Sequence, residues 1–132
     1  MVQVSVSASV AIADGPVLPV GTELDPESYT FTSVALAEAA AAGHQQEVSL
    51  LPTAGAAVLL AVRARTQSGK RAAVTFTPAT DAPTPLPIDG ELLVWGAGAV
   101  ASVLPGGLGS LTVSNGGSEP VRVDILACLG GS

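Results

Sequence analysis

The sequence predicts an all-β fold, a β-sandwich or jelly roll of about eight short antiparallel strands with at most one short helical turn. Two observations carry this. Apolar residues recur at every second position in several segments, the period of a strand whose two faces meet different surroundings. Clusters of Gly, Pro and Asn separate those segments at short intervals, and no stretch shows the long apolar stripe of a packed helix.

The clearest alternation is at the start. Val2, Val4, Val6, Ala8, Val10 and Ile12 interleave with Gln3, Ser5, Ser7, Ser9 and Ala11. This predicts one long strand with valines on one face and serines on the other. Asp14-Gly15-Pro16 ends it as a turn. Val17 to Ser28 reads as a loop because it holds Pro19, Gly21 and Pro26 with three acids. Tyr29-Thr30-Phe31-Thr32 has strong β character. Ser33 to Gly43 admits two readings. Its alanines suit a helix capped by Ser33 and ended by Gly43. Alternatively the strand from Tyr29 runs on to about Ala37, turns through Ala42-Gly43-His44-Gln45, and Val48–Leu51 returns antiparallel.

Ala56 to Thr66 predicts a strand with Val58, Leu60 and Val62 on one side and Leu59, Ala61, Arg63 and Arg65 on the other. Gln67-Ser68-Gly69-Lys70 is a turn, and Ala72, Val74 and Phe76 alternate in a returning strand, so the two segments form a predicted hairpin. Pro78 to Pro87 is an extended connection able to cross between sheets. Asp89-Gly90 is a turn, Glu91–Trp95 a strand, and Ala99–Leu104 a further strand. Pro105-Gly106-Gly107 is a tight turn. Leu111–Ser114 leads through the turn Asn115–Ser118 into Val121, Val123, Ile125 and Ala127, which alternate again. The strands before the proline-rich connection need those after it to cover their apolar face, so residues 1–132 read as a single domain.

Composition narrows the function. Charged residues are 12% of the chain and hydrophobic residues 48%, against about 25% charged in an average domain. A surface so sparse in charge fits either partial burial in contacts with other chains or a proteome rich in Ala and Gly that favours small residues, with the first reading preferred. The net charge is −6 with five cations, Arg63, Arg65, Lys70, Arg71 and Arg122. No basic footprint for nucleic acid exists. Four of the five cluster between Arg63 and Arg71, where they suit an acidic protein neighbour. No apolar run approaches the ~20 residues of a membrane helix. Met1-Val2-Gln3-Val4-Ser5 lacks the basic and apolar regions of a signal peptide, so synthesis in a cytoplasm is expected.

The residues that carry chemistry elsewhere stand alone here. His44 is the only histidine and has no identifiable nucleophile or orienting partner, so it reads as an exposed turn residue. Cys128 is the only cysteine, which forbids an intrachain disulfide, and its apolar strand makes it a small buried hydrophobe. Glu23, Asp25 and Glu27 form the one acidic cluster, but without the calcium-loop pattern they read as a solvated loop. Gly96-Ala97-Gly98 and Gly106-Gly107-Leu108-Gly109 match neither a dinucleotide fingerprint nor a P-loop. No catalytic residue, metal ligand or cofactor site is predicted, and the chain is not expected to be an enzyme. Trp95, the only tryptophan, reads as a core anchor or an interface anchor. Candidate interface residues are Trp95, Val2, Val4, Val6, Arg63 and Arg65. Val2–Ile12 is either an ordinary internal strand or a segment that grips a neighbouring chain.

Pro87-Ile88-Asp89-Gly90-Glu91-Leu92-Leu93-Val94-Trp95-Gly96, Leu111-Thr112-Val113-Ser114-Asn115 and Val121-Arg122-Val123-Asp124-Ile125-Leu126 together have a cadence of short strands and hairpin turns. In this the second half resembles small β-sandwich virion structural proteins of tailed phages, of the capsid decoration or cement type. The resemblance implies a homo-oligomer, with a trimer favoured, that packs on other virion proteins such as a major capsid protein. It implies residence in the virion after synthesis in a bacterial host, and it carries no catalytic residue. A tail, baseplate or fibre component, and a bacterial surface or carbohydrate-binding sandwich module, are the alternative expectations.

Overall fold

The computed structural model describes residues 3–50, 57–79, 84–104 and 110–130. The described residues form ten strands: β1 Val4–Ala11, β2 Val17–Leu24, β3 Ser28–Leu36, β4 Gln45–Val48, β5 Ala57–Thr66, β6 Ala73–Pro78, β7 Leu86–Asp89, β8 Glu91–Trp95, β9 Leu111–Asn115 and β10 Val121–Leu129. One helix, α1 (Ala97–Val103), lies between β8 and β9. The all-β reading holds, with ten strands in place of about eight.

Eight of the ten strands make two four-stranded sheets, ordered β3-β10-β5-β8 and β4-β9-β6-β7. Every hydrogen-bonded pair is antiparallel, and β3 pairs with β10, β4 with β9, β5 with β8 and β6 with β7. The chain from β3 to β10 is therefore one long hairpin of four strand pairs wrapped into two facing sheets. That connectivity is a jelly roll. The remaining two strands, β1 and β2, form a separate two-stranded sheet.

The core lies between the two sheets. Leu60, Val62, Val123 and Ile125 from one sheet meet Val74, Phe76, Leu111 and Val113 from the other, and all are at most 3% exposed. Each such side chain stabilises the fold by roughly 1.5–3 kcal/mol of burial. Strands before and after residues 78–87 share this core.

Wrapping requires strands to change sheets, and this corrects four sequence expectations. The 67–72 turn does not return β6 beside β5. An isolated bridge joins Arg65 and Arg71, after which β6 leaves for the opposite sheet and pairs with β7 and β9. β9 and β10 likewise sit in different sheets, and β4 pairs with β9 rather than returning along β3. Hydrophobic alternation marks the faces of a strand but not its neighbour, so adjacent strands looked like hairpins. The proline-rich connection joins two neighbours in one sheet, β6 and β7, instead of crossing.

The crossing near it falls at Gly90, between β7 and β8. Gly90 has φ +87°, a left-handed conformation that favours glycine. Its N–H donates to Ala72 O at 2.8 Å, and its carbonyl accepts from the Ala64 N–H at 2.7 Å. Ala72 N–H donates to Ala64 O at 3.1 Å. Small buried residues at 64, 72 and 90 let the two corners approach this closely.

A further segment differs from expectation. Ala99–Leu104 belongs to α1 and its C-cap, not to a strand. Val100, Val103 and Leu104 stand at helical spacing, and all three pack on the main core. Ser33–Gly43 follows the strand reading, since β3 ends at Leu36 and a turn follows in which the Ala41 N–H donates to Glu38 O at 3.0 Å. The turn at 105–107 and the middle of the proline-rich connection lie outside the described residues.

Candidate protein interface

The segment read as a loop at 17–28 supplies β2, which pairs with β1 along its whole length, from Val4 opposite Leu24 to Ala11 opposite Val17. Pro19 and Gly21 had argued against a strand. Pro19 is accommodated because β2 is an edge strand, where a missing N–H is tolerated. Gly21 is required by closeness, since a Cβ there would stand 2.7 Å from Val6 O. The first strand is thus not an internal strand of a larger sheet. It is half of a two-stranded arm.

Alternation makes the arm two-faced. Val4, Val6, Ala8 and Val10 share one face with their partners Leu24, Thr22, Val20 and Leu18, and the serines lie on the other. The base of the apolar face is seated: Val6 is 8% exposed and forms a small cluster with Val58, Leu59 and Cys128, with Val4, Leu24, Ala61, Trp95 and Leu126 packed around it. The outer half is bare. Val10, Ile12 and Leu18 are 59–64% exposed.

The arm sits on the outer face of the β3-β10-β5-β8 sheet. Strand register arranges that face in rows across the strands. The first row is Tyr29, Cys128, Leu59 and Trp95; the second is Phe31, Leu126, Ala61 and Leu93; the third is Ser33, Asp124, Arg63 and Glu91. Ala35, Arg122 and Arg65 follow. A β-bulge opposite Cys128 and Leu129 turns Val58 to this face as well, beside Leu59. The arm base covers the centre of the first row. The second row floors an open groove of about 550 Å³, rimmed by Phe31, Leu93, Arg63, Arg65, Glu91 and Asp124. Phe31 and Leu93 are 60% and 43% exposed, and Tyr29 beside them is 57% exposed.

The third row is held by charge. Ser33 Oγ donates to Asp124 Oδ1 at 2.6 Å, Arg122 Nε donates to the same oxygen at 3.2 Å, and Arg63 Nη2 lies 3.4 Å from Oδ2. The Ser33 hydroxyl, with the two guanidiniums, holds the Asp124 carboxyl below the usual carboxylate range against a smaller opposing effect of burial. Arg65 pairs with Glu91. An apolar band bordered by paired charges has the composition of a protein contact surface.

The structure thus brings Trp95, Val4, Val6, Arg63 and Arg65 to one face. Val2 lies outside the described residues. Trp95 is half-buried in the small cluster, not in the main core. Cys128 is fully buried, and desolvation pushes its thiol pKa up. His44 is half-buried rather than exposed, with its ring Nδ1 3.0 Å from Ala41 O. Glu23, Asp25 and Glu27 are exposed, and among the described residues no group of three or more His, Cys, Asp or Glu could hold a metal. No described helix is long and apolar enough to cross a membrane.

Sequence reasoning missed Tyr29, Phe31, Leu93 and Leu18. A signal for the first two was present: in β3 the large apolar residues occupy odd positions up to Phe31 and even positions from Val34, so they change face midway. Of four aromatic residues in the chain, Phe76 alone is in the main core, and the other three share this outer face.

Fold and surface together define a class: a jelly-roll domain with a two-stranded apolar arm and a two-zoned outer sheet. No protein family matches the chain, and no curated protein matches it.

Proposed function

We propose that this chain is a virion structural protein, a capsid decoration or cement protein, that works by packing against copies of itself and against other virion proteins. The carrying observation is the outer face of the β3-β10-β5-β8 sheet. There an exposed apolar row, three of the four aromatics and an apolar arm lie together beside a rim of ion pairs. Aromatic residues are enriched at protein contacts, and patches of this kind are uncommon on isolated monomers. Jelly rolls are frequent among capsid proteins and also among lectins, so the fold supports this reading without carrying it. A tail, baseplate or fibre component would use the same contact physics.

Two measurements test the proposal. Light scattering over a wide concentration range is expected to give a stable trimer or larger ring, and a monomer throughout contradicts self-association. Immunogold electron microscopy with an antibody against the chain is expected to decorate capsids, whereas labelling of tails alone moves the assignment to a tail component. The groove rimmed by Phe31, with the exposed Tyr29 in the adjoining row, favours a second reading, a carbohydrate-binding module. Saturable glycan binding by a monomeric chain would establish it in place of the first.

A further inference from the structure

Among the described residues the arm's outer half and the open side of the sheet's second row, whose Ala61 and Leu126 also touch the arm base, are two exposed apolar surfaces on one chain, and we infer that they meet between two copies. The distal arm face, Ala8, Val10, Leu18 and Val20, lies in the groove formed by Phe31, Leu126, Ala61 and Leu93 of a second copy. This rests on the self-association proposed above and specifies its geometry.

Three observations support the match. The same arm face, nearer its base, already packs on the adjoining row of its own sheet, so its pleat suits this surface. The extents are compatible: four residues of each arm strand span about 10 Å, which fits within the roughly 14 Å of a row crossing four strands. Charge agrees too. Asp14 is the only charged residue between Gln3 and Thr22, and it stands at the arm's tip. The two rows beyond the groove carry Arg63, Arg65 and Arg122 against Glu91 and Asp124, one cation in excess. The side chains of Arg63 and Arg122 are 64% and 69% exposed, open to a second carboxylate.

Because each copy gives an arm and offers a groove, the contact is either reciprocal in a two-fold dimer or head-to-tail in a ring. The test mixes two full-length chains, Val10→Cys and Leu93→Cys, one carrying a size tag, under mild oxidation. Both positions are exposed, so folding is preserved, and the buried Cys128 stays out of the reaction. A disulfide joining the two different chains as the main product is expected. If the untagged wild type sediments as an oligomer but only Val10→Cys pairs with itself, or nothing cross-links, the arm-in-groove contact is wrong and self-association stands. A wild type that is monomeric at every concentration overturns both.

Discussion

Val6 of the arm and Cys128 of the sheet are buried in the same small cluster, apart from the main core of the sandwich. The arm is therefore fastened to the jelly roll by a patch of its own. Its attachment and the folding of the sandwich are separable events, as local openings commonly are.

Cys128 reports that attachment. Its burial keeps the thiol protonated and shielded, so a thiol reagent is expected to modify it slowly in the native protein and at once in denaturant. Val6→Asp places a charge over the cluster and lifts the arm base. Labelling of Cys128 should then accelerate about tenfold or more, the rate change that ~1.4 kcal/mol of easier opening produces, while the circular dichroism of the sandwich is kept. Unchanged labelling would show that the arm does not guard the thiol.

Asn115 is the one buried polar residue among the described residues, 1% exposed. Its Nδ2 donates to Ala37 O at 2.9 Å and Glu119 O at 2.8 Å, and its Oδ1 accepts from the Gly117 N–H at 2.9 Å. One side chain thus ties the turn after β3 to the turn before β10. Asn115→Ala leaves those backbone groups without their partner and is expected to cost about 2–3 kcal/mol in urea unfolding. A loss below about 0.5 kcal/mol would mean that the turns re-pair freely, as at an ordinary surface site.

Ser33 and Asp124 make the outer sheet's rim sensitive to acid. An acid held below its usual pKa contributes stability that is full above the unfolded value, about 3.9 for aspartate, and is lost as pH falls through the folded value. Ser33→Ala removes the largest cause of that lowering. The variant should be less stable than wild type by about 1 kcal/mol at neutral pH, a figure reduced for the site's partial exposure. The gap should close below the ordinary aspartate range. Thermal melts at pH 7 and pH 2.5 check this, and a gap that persists in acid would assign the effect to packing.

Much of the fold was legible because alternation is a local signal. Val121–Ala127 and Ala57–Thr66 identify themselves as strands, and the glycine and proline clusters mark where they stop. Strand partners were not legible. Nothing in Gln67–Lys70 says that β6 will leave β5 after a single bridge, because the choice depends on the opposing sheet. β2 was hidden by Pro19 and Gly21, which an unshared edge and a close crossing at Val6 O make suitable. α1 was hidden by its seven residues, too few to display a full apolar period. The candidate interface was half legible: the unusual residues Trp95, Arg63 and Arg65 drew notice singly, while the rows that unite them with Phe31 and Leu93 exist only once register is known.

The central claim, that the outer sheet and its arm are a surface for assembly, is tested most directly by sedimentation of the wild type beside Val10→Asp/Leu18→Asp. Both substituted residues are exposed, at 59% and 64%, so the thermal midpoint is expected to be unchanged. The wild type should sediment as an oligomer and the double variant as the 12.9 kDa chain. Equal masses for the two proteins would contradict the account.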